Sequence, residues 1–395
     1  MRNKPWFDDV KKYYAFRALI KRFIVPIAVL YAIDQGLSIE QIAIIGVITG
    51  LVGFVFEVPS GAIADTLGHK KALVLSMLGQ ALAMGLYLGG SFEWILAASI
   101  TYWAAGTLMT GTMQALFFER LRELGREHEH QKLSGRTRSF AQATSMVAML
   151  LSGVAYTWHW WLPFIIGIGQ FLLAAVIISS FTQASRPTQV STFEPKVPLK
   201  NMLSGFKEVW SSPKLFWLTM FNAIIFGLMW GSTEFHQILL EDAGVAAGFF
   251  GLIYASKRFT GVILPPITHR LTAHMTAPIF CILTAIATSA ILILTIFVTH
   301  PWSMAILIAL SLAPSEALNV ANNDFANKLI HGSSRATALS IQNIFQQITT
   351  LSFIAAVGWS VTSSTLPGIY ASLGLLSLIV FAILSIPFIR AYARG

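Results

Sequence analysis

Eight ionisable residues sit inside long apolar runs: Arg17, Lys21, Arg22, Glu57, Glu234, Lys257, Arg258 and Glu316. In hydrocarbon each costs at least ~2.5 kcal/mol at mid-depth unless it faces a cavity or a partner, so each is a candidate for binding a charged solute or a proton. Glu57, Glu234 and Glu316, with His236 close behind Glu234, are of the types that carry protons. Lys21, Arg22 and Lys257 are of the types that grip carboxylates or phosphates, with ion pairing to Glu57 as the alternative. Glu316, Asn319, Asn322 and Asn323 in one run and Gln342, Asn343, Gln346 and Gln347 in another would line a wet path or bond helix to helix. Trp103, Trp230 and Tyr254 would stack on a ligand or pack.

Enzymatic chemistry has no such footing. The chain contains no H-E-x-x-H, no G-x-S-x-G and no G-x-x-x-x-G-K-[ST] segment, so the usual zinc, serine and nucleotide-driven chemistries are absent from it. His236 followed by Glu241 and Asp242 is the nearest acid–histidine cluster and is too sparse for catalysis. Glu127, His128, Glu129 and His130 read as a solvated face rather than a metal site, and the single Cys281 can form neither an intrachain disulfide nor a thiolate cluster. No cofactor is expected. Without a nucleotide site, pumping must draw on an ion gradient or on the solute's own gradient.

The elements that carry these residues follow from composition. Of 395 residues, 55% are hydrophobic and 11% charged, less than half the charge of ordinary soluble domains, which stand at roughly 25%. Uninterrupted apolarity places spans near 14–33, 42–62, 72–90, 94–117, 139–158, 162–181, 215–238, 246–267, 277–298, 302–322, 337–358 and 368–388. Each is long enough to cross about 30 Å of hydrocarbon as a helix. The first is no removable signal sequence, because Arg17, Lys21 and Arg22 interrupt it. The expected fold class is an all-α polytopic membrane protein of twelve transmembrane helices in two pseudo-symmetric six-helix bundles.

The net charge of +9 encodes topology rather than nucleic-acid binding. Of 27 Lys and Arg residues, five lie inside spans, and none lies in the alternate loops 34–41, 91–93, 159–161, 239–245, 299–301 and 359–367. The others occupy the termini and the remaining loops, which the positive-inside rule puts in the cytoplasm. Both termini are therefore expected on the cytoplasmic side of an inner membrane. The proline-rich stretch through Arg186, Pro187, Pro195 and Pro198 reads as a linker that divides the chain into a bundle at 1–181, a linker at 182–213 and a bundle at 214–395. Within the linker, Leu199, Met202, Leu203, Phe206, Val209 and Trp210 recur at helical spacing, as expected of a helix lying on membrane lipid. Trp6, Phe7, Val10, Tyr13 and Tyr14 make a similar face, for protein or for lipid. Three G-x-x-x-G pairs, Gly46 with Gly50, Gly85 with Gly89 and Gly244 with Gly248, are read as close helix contacts.

The two halves look duplicated. Gly61, Ile63, His69 and Lys70 recur two hundred residues later as Gly261, Ile263, His269 and Arg270, while Asp65 becomes Pro265 and Gly68 becomes Thr268. The run Gly61 to Lys71, G-x-x-x-D-x-x-G-x-K-K after the second span, resembles the loop motif of the major facilitator superfamily, and Glu57 to Ser60 resembles the lead-in of its drug-exporter-like bacterial members. Phe117 to Gly125 and the run from Asn327 to Ser340 add to the resemblance, which covers the whole chain. It implies a secondary transporter, a monomer, whose bundles rock around a central site. It also implies a gate built from Glu57, Gly61, Asp65, Gly68, Lys70, Lys71 and Arg335, with the Asp65 carboxylate at the start of the helix near 333–337. Gln114 departs from the acid found in many relatives and keeps only a solute-binding role here.

The expected activity is proton-coupled export of a small organic solute, with uptake symport or lipid flipping by the same fold as alternatives. Five bases against three acids inside the spans favour an anionic or zwitterionic solute. Reporters fused after Asp34, Glu93, His159, Asp242, Pro301 and Ser364 should all appear outside the cytoplasm; one cytoplasmic result would break the twelve-span reading.

Overall fold

The computed structural model describes residues 5–20, 23–123, 125–181, 210–329 and 335–393, which are almost wholly helical and contain no strand. In chain order the α-helices are α1 Pro5–Leu19, α2 Ala28–Asp34, α3 Ile39–Leu67, α4 His69–Tyr87, α5 Phe92–Thr107, α6 Thr112–Glu123, α7 His130–Trp158 and α8 Leu162–Ser179. Then follow α9 Pro213–Ser232, α10 His236–Asp242, α11 Phe250–Thr272, α12 Ala277–Leu294, α13 Pro301–Leu310, α14 Ala313–Leu329, α15 Arg335–Ser360 and α16 Leu366–Ala393. Each expected span maps onto one helix or one consecutive pair. Seven segments among the described residues are long and apolar enough to cross a membrane: Ile39–Glu57, Glu127–Trp158, Leu162–Ser179, Pro213–Asp242, Ala277–Leu294, Pro301–Ala326 and Leu366–Ala393.

Local signals set the helix starts. Pro163, Pro213, Pro278 and Pro301 stand in first turns, where a missing N–H costs nothing, and the Ser212 hydroxyl accepts from the Leu215 N–H. Several helices outrun the apolar spans: α7 begins nine residues earlier and α3 runs five residues further than expected. Apolarity marks the bilayer, whereas backbone hydrogen bonding continues into water as long as the residues are good helix formers.

Every third stretch is broken. Breaks fall between α1 and α2 and at 108–111, 233–235 and 311–312, in the first, fourth, seventh and tenth stretches, all four of which composition renders as continuous runs. At 108–111 the chain turns through Gly111 at φ 75°, a conformation that a side chain resists. Near 233, the hydroxyls of Ser232 and Thr233 both donate back to the Met229 carbonyl and bend the helix. At 311–312 the following Pro314 has no N–H to continue the ladder.

The chain divides into two compact units, 1–38 with 48–193 and 247–255, and 39–47 with 194–246 and 256–395. In the first unit α4 packs against α5 and α8. Gly79 lies so close to Ala105 that an added methyl would be 2.7 Å from its Cβ, and the Ser76 hydroxyl donates to the Ala105 carbonyl at 2.7 Å. In the second unit α12 packs on α16 and α9 on α15. Third on sixth and ninth on twelfth is the pairing that a duplicated chain repeats. His69 meets Glu119 of the fourth stretch at 3.0 Å, and His269 meets Asp324 of the tenth at 3.7 Å, so the repeat extends to side chains. One departure is structural: Gly68 turns at φ 83° between α3 and α4, whereas Thr268 lies inside α11.

The paired glycines sort differently from the motif reading. Gly46 does pack closely, with Ile354 3.2 Å from an added methyl. Gly244 turns at φ 80° outside any helix, Gly89 lies in a turn against Trp94, and an added methyl at Gly85 meets open space. Helix contacts instead use unpaired-motif glycines such as Gly227, where an added methyl would be 2.4 Å from Thr349 Cβ. Gly227→Leu should destabilise the protein by about 1–3 kcal/mol, lowering its unfolding temperature in detergent. Gly85→Ala should not lower it, and equal losses in the two would refute the seam.

Candidate functional site

The ionisable residues of the second unit gather around the break in its first stretch. The Ser232–Thr233 back-bonds convert the end of α9 into a turn over Thr233–Phe235, and the Tyr370 hydroxyl of α16 donates to the Ser232 carbonyl at 2.7 Å, pinning that turn. His236 opens α10 there. Its Nδ1 lies 2.8 Å from Nζ of Lys257, two turns into α11, and both residues are 3% exposed. Glu234 acts on the ammonium as a nearby opposite charge and Arg258 as a nearby like charge. The Arg258 guanidinium stands 5.9 Å from the Trp230 ring centre, within cation–π range. The carboxyl of Glu316, on α14, approaches Gly261 one turn further along α11.

Amides complete the interior. Asn322 and Gln342 exchange hydrogen bonds at 2.9 and 3.0 Å, and Gln346 donates to Asn222. These four side chains therefore tie helices together, as buried amides must to avoid unsatisfied groups. Asn319 and Asn343 are exposed. Tyr254 is buried, and Trp230 is half-buried beside Arg258. Of the predicted residues, Lys257, His236, Glu234, Arg258, Trp230 and Glu316 are thus brought into one neighbourhood.

Among the described residues, the first unit does not repeat this cluster. Glu57, which aligns with Lys257 in the repeat, is exposed, so the two positions share a register and not an environment. Arg17 is half-buried with Nη1 3.6 Å from the Met113 sulfur. Lys21 and Arg22 lie outside the described residues, as does the lipid-facing segment expected from Leu199 to Trp210 except for Trp210 itself, which is exposed. Trp103 is more than a third exposed, and Gln114 is exposed on α6. In the loop motif, Asp65 and Lys71 are exposed, an added methyl at Gly61 meets nothing, and Lys70 donates to the Phe181 carbonyl at 2.8 Å. Arg335 is the first residue of α15, while Ser333 and Ser334 lie outside the described residues.

Sequence reasoning missed an ion cluster in the first unit. Asp9, 3% exposed, accepts from Nε of Arg120 at 2.6 Å, and the same guanidinium reaches Glu123 at 2.7 Å. Tyr13 stacks on Phe117 with ring centres 3.9 Å apart, so this residue of α1 packs on protein. Asp9 carried no signal in the sequence, because an acid among terminal charges looks solvated until its partner, more than a hundred residues away, is placed.

Comparison with known proteins followed the same lines. The sequence model of the Major Facilitator Superfamily matches residues 13–352. An uncharacterized MFS-type transporter of Bacillus subtilis (strain 168), YxaM, is 21% identical over 262 residues, a match covering 65% of this chain and 64% of that protein, under two thirds of its length. The nucleoside transporter NupG has the same fold, with a TM-score of 0.76 at 12% identity, covering 98% of this chain and 99% of that one. A bacterial homologue of the lysosomal transporter Spinster gives 0.69 at 13%, covering 99% of each.

The Asp9–Arg120 pair makes a stability prediction. Arg120→Met leaves the Asp9 carboxylate buried without its partner and should cost about 3–5 kcal/mol in unfolding experiments. Adding Asp9→Asn should recover part of that loss; a double variant as unstable as the sum of the singles would show the pair to be uncoupled.

Proposed function

The chain belongs to the major facilitator superfamily and is a multi-pass membrane transporter of a small molecule rather than an enzyme; from that premise we propose that it moves an organic solute across the cytoplasmic membrane by alternating access, coupled to protons. The observation that carries this reading is the buried cluster around Lys257 and His236, where titratable groups sit among apolar helices. Ionisable residues are retained in such places for solute or proton handling, because they cost stability otherwise.

The broken stretches support it. Discontinuous helices free backbone groups at depth, and transporters use such places to bind solutes and coupling ions. The break before His236 is one of these. An anionic or zwitterionic solute suits Lys257 and Arg258. In the proposed gate, Glu57, Gly61, Asp65, Gly68, Lys70, Lys71 and Arg335 act at the cytoplasmic side, with protons moving through Glu234, His236 and Glu316. Export is the direction favoured by the drug-exporter-like lead-in at Glu57 to Ser60. Uptake with protons is a second reading, favoured by the chemistry of the Lys257–His236 pair.

Purified protein in liposomes should show flux of organic anions or zwitterions that rises when a pH gradient is imposed. Asp65→Asn should lose about tenfold or more of that flux with unchanged insertion, since an amide fills the same space without the charge. Flux indifferent to pH would remove the proton, and full activity of Asp65→Asn would remove the gate.

A further inference from the structure

We propose that Lys257 and His236 form a site that takes one proton and one organic carboxylate together: the ligand-free pair holds a single proton between its nitrogens, and a second proton enters only with the anion. The proposal rests on the transporter reading above. An ammonium has donors and no acceptor, so at 2.8 Å the Nδ1 of His236 must accept from it and the imidazole keeps its own hydrogen on Nε2. If the amine is neutral instead, Nδ1–H donates to it. Either way one proton lies between the two nitrogens. Charging both would set two like charges at hydrogen-bond distance in a place where each residue is 3% exposed.

The charged groups around the pair reinforce this. Glu234 lies beside it from the turn before α10, Arg258 follows Lys257 on α11, and Glu316 of α14 reaches the next turn of α11 at Gly261. Tyr254 is one turn earlier on α11, Asp242 ends α10, and the Tyr370 hydroxyl is committed to the Ser232 carbonyl. Lys257 and Arg258 balance Glu234 and Glu316, so these four carry no net charge while His236 is neutral; Asp242 is exposed and stands outside that sum. A proton on His236 leaves one positive charge in excess, which a bound carboxylate cancels.

The proton balance is simple. A carboxylate oxygen replaces Nδ1 as the acceptor of the Lys257 ammonium, and the freed Nδ1 lone pair takes a proton from a hydronium ion, leaving water. When the anion departs, Nδ1 returns that proton to water and accepts from Lys257 again. Anion and proton therefore bind together and travel in the same direction. A cationic solute would compete with the proton instead. The sign of the solute thus decides whether coupling is symport or antiport.

The test uses the full chain in liposomes with 15N-labelled histidine, His236 being assigned by subtracting the spectrum of His236→Gln. At about pH 6, where an ordinary imidazole is substantially protonated, ligand-free His236 should show no imidazolium signal. Saturating benzoate, the carboxylate probe, should convert most of the His236 signal to imidazolium. In Lys257→Met, which removes the ammonium that would hold the anion, benzoate should no longer convert the His236 signal. Imidazolium without anion, or no response to benzoate, overturns the proposal; should Lys257→Met fail to fold, these two wild-type measurements decide it alone. Failure of pH-dependent flux while the spectra hold would overturn proton-coupled transport and leave the pair standing, and the reverse result would do the opposite.

Discussion

Hydrocarbon offers no hydrogen bonds, and the rest of this molecule follows from that. Every backbone amide in the spans must be satisfied within its own segment, so the described chain is helical almost throughout. Every buried side-chain donor or acceptor must likewise find a protein partner. Asn322 with Gln342, Asn222 with Gln346 and Ser289 with Ser377 are such solutions, each joining two helices that apolar packing alone would let slide. The few charges that remain inside are held by the same rule: His236 and Lys257 satisfy each other, with an acid and a second base close by.

Where the helices break, the constraint relaxes locally and chemistry becomes possible. The four breaks fall in every third stretch, and three of them have distinct causes, a left-handed glycine, paired hydroxyls and a proline. A regular position reached by different residues indicates that architecture is what the duplicated halves share. The details diverge: His69 and His269 both meet an acid, but only Gly68 turns the chain, and Glu57 lies exposed where Lys257 is buried. One half thereby carries a charged interior cluster while the other carries the loop motif and the Asp9–Arg120–Glu123 cluster near its first helix.

Much of this was legible in the residues. Apolar runs and the absence of Lys and Arg from alternate loops are one-dimensional signals, because span length and loop charge depend on the bilayer and not on neighbouring helices. The family was legible for the same reason: its loop motif is contiguous, and the Major Facilitator Superfamily model matches residues 13–352. The candidate site was half legible. That Lys257, His236, Glu234 and Glu316 are costly in an apolar run is plain from their types; that Lys257 meets His236 is not, since they stand twenty-one positions apart on different helices.

What the sequence by itself determined is the class of solvent and the family: helices for hydrocarbon, and a major facilitator chain. What only the tertiary structure decided is which polar groups are partners. Helices cross and face one another through Gly227 on Thr349 or Gly79 on Ala105, not through the spaced pair Gly244 and Gly248. Asp9 is buried by an arginine more than a hundred residues away, and Glu57 is left exposed despite its place in an apolar run. The physical reason is that the free energy of burying a charge depends on what lies within a few ångströms, a property of packing, whereas the free energy of inserting a span is nearly a sum over its own residues.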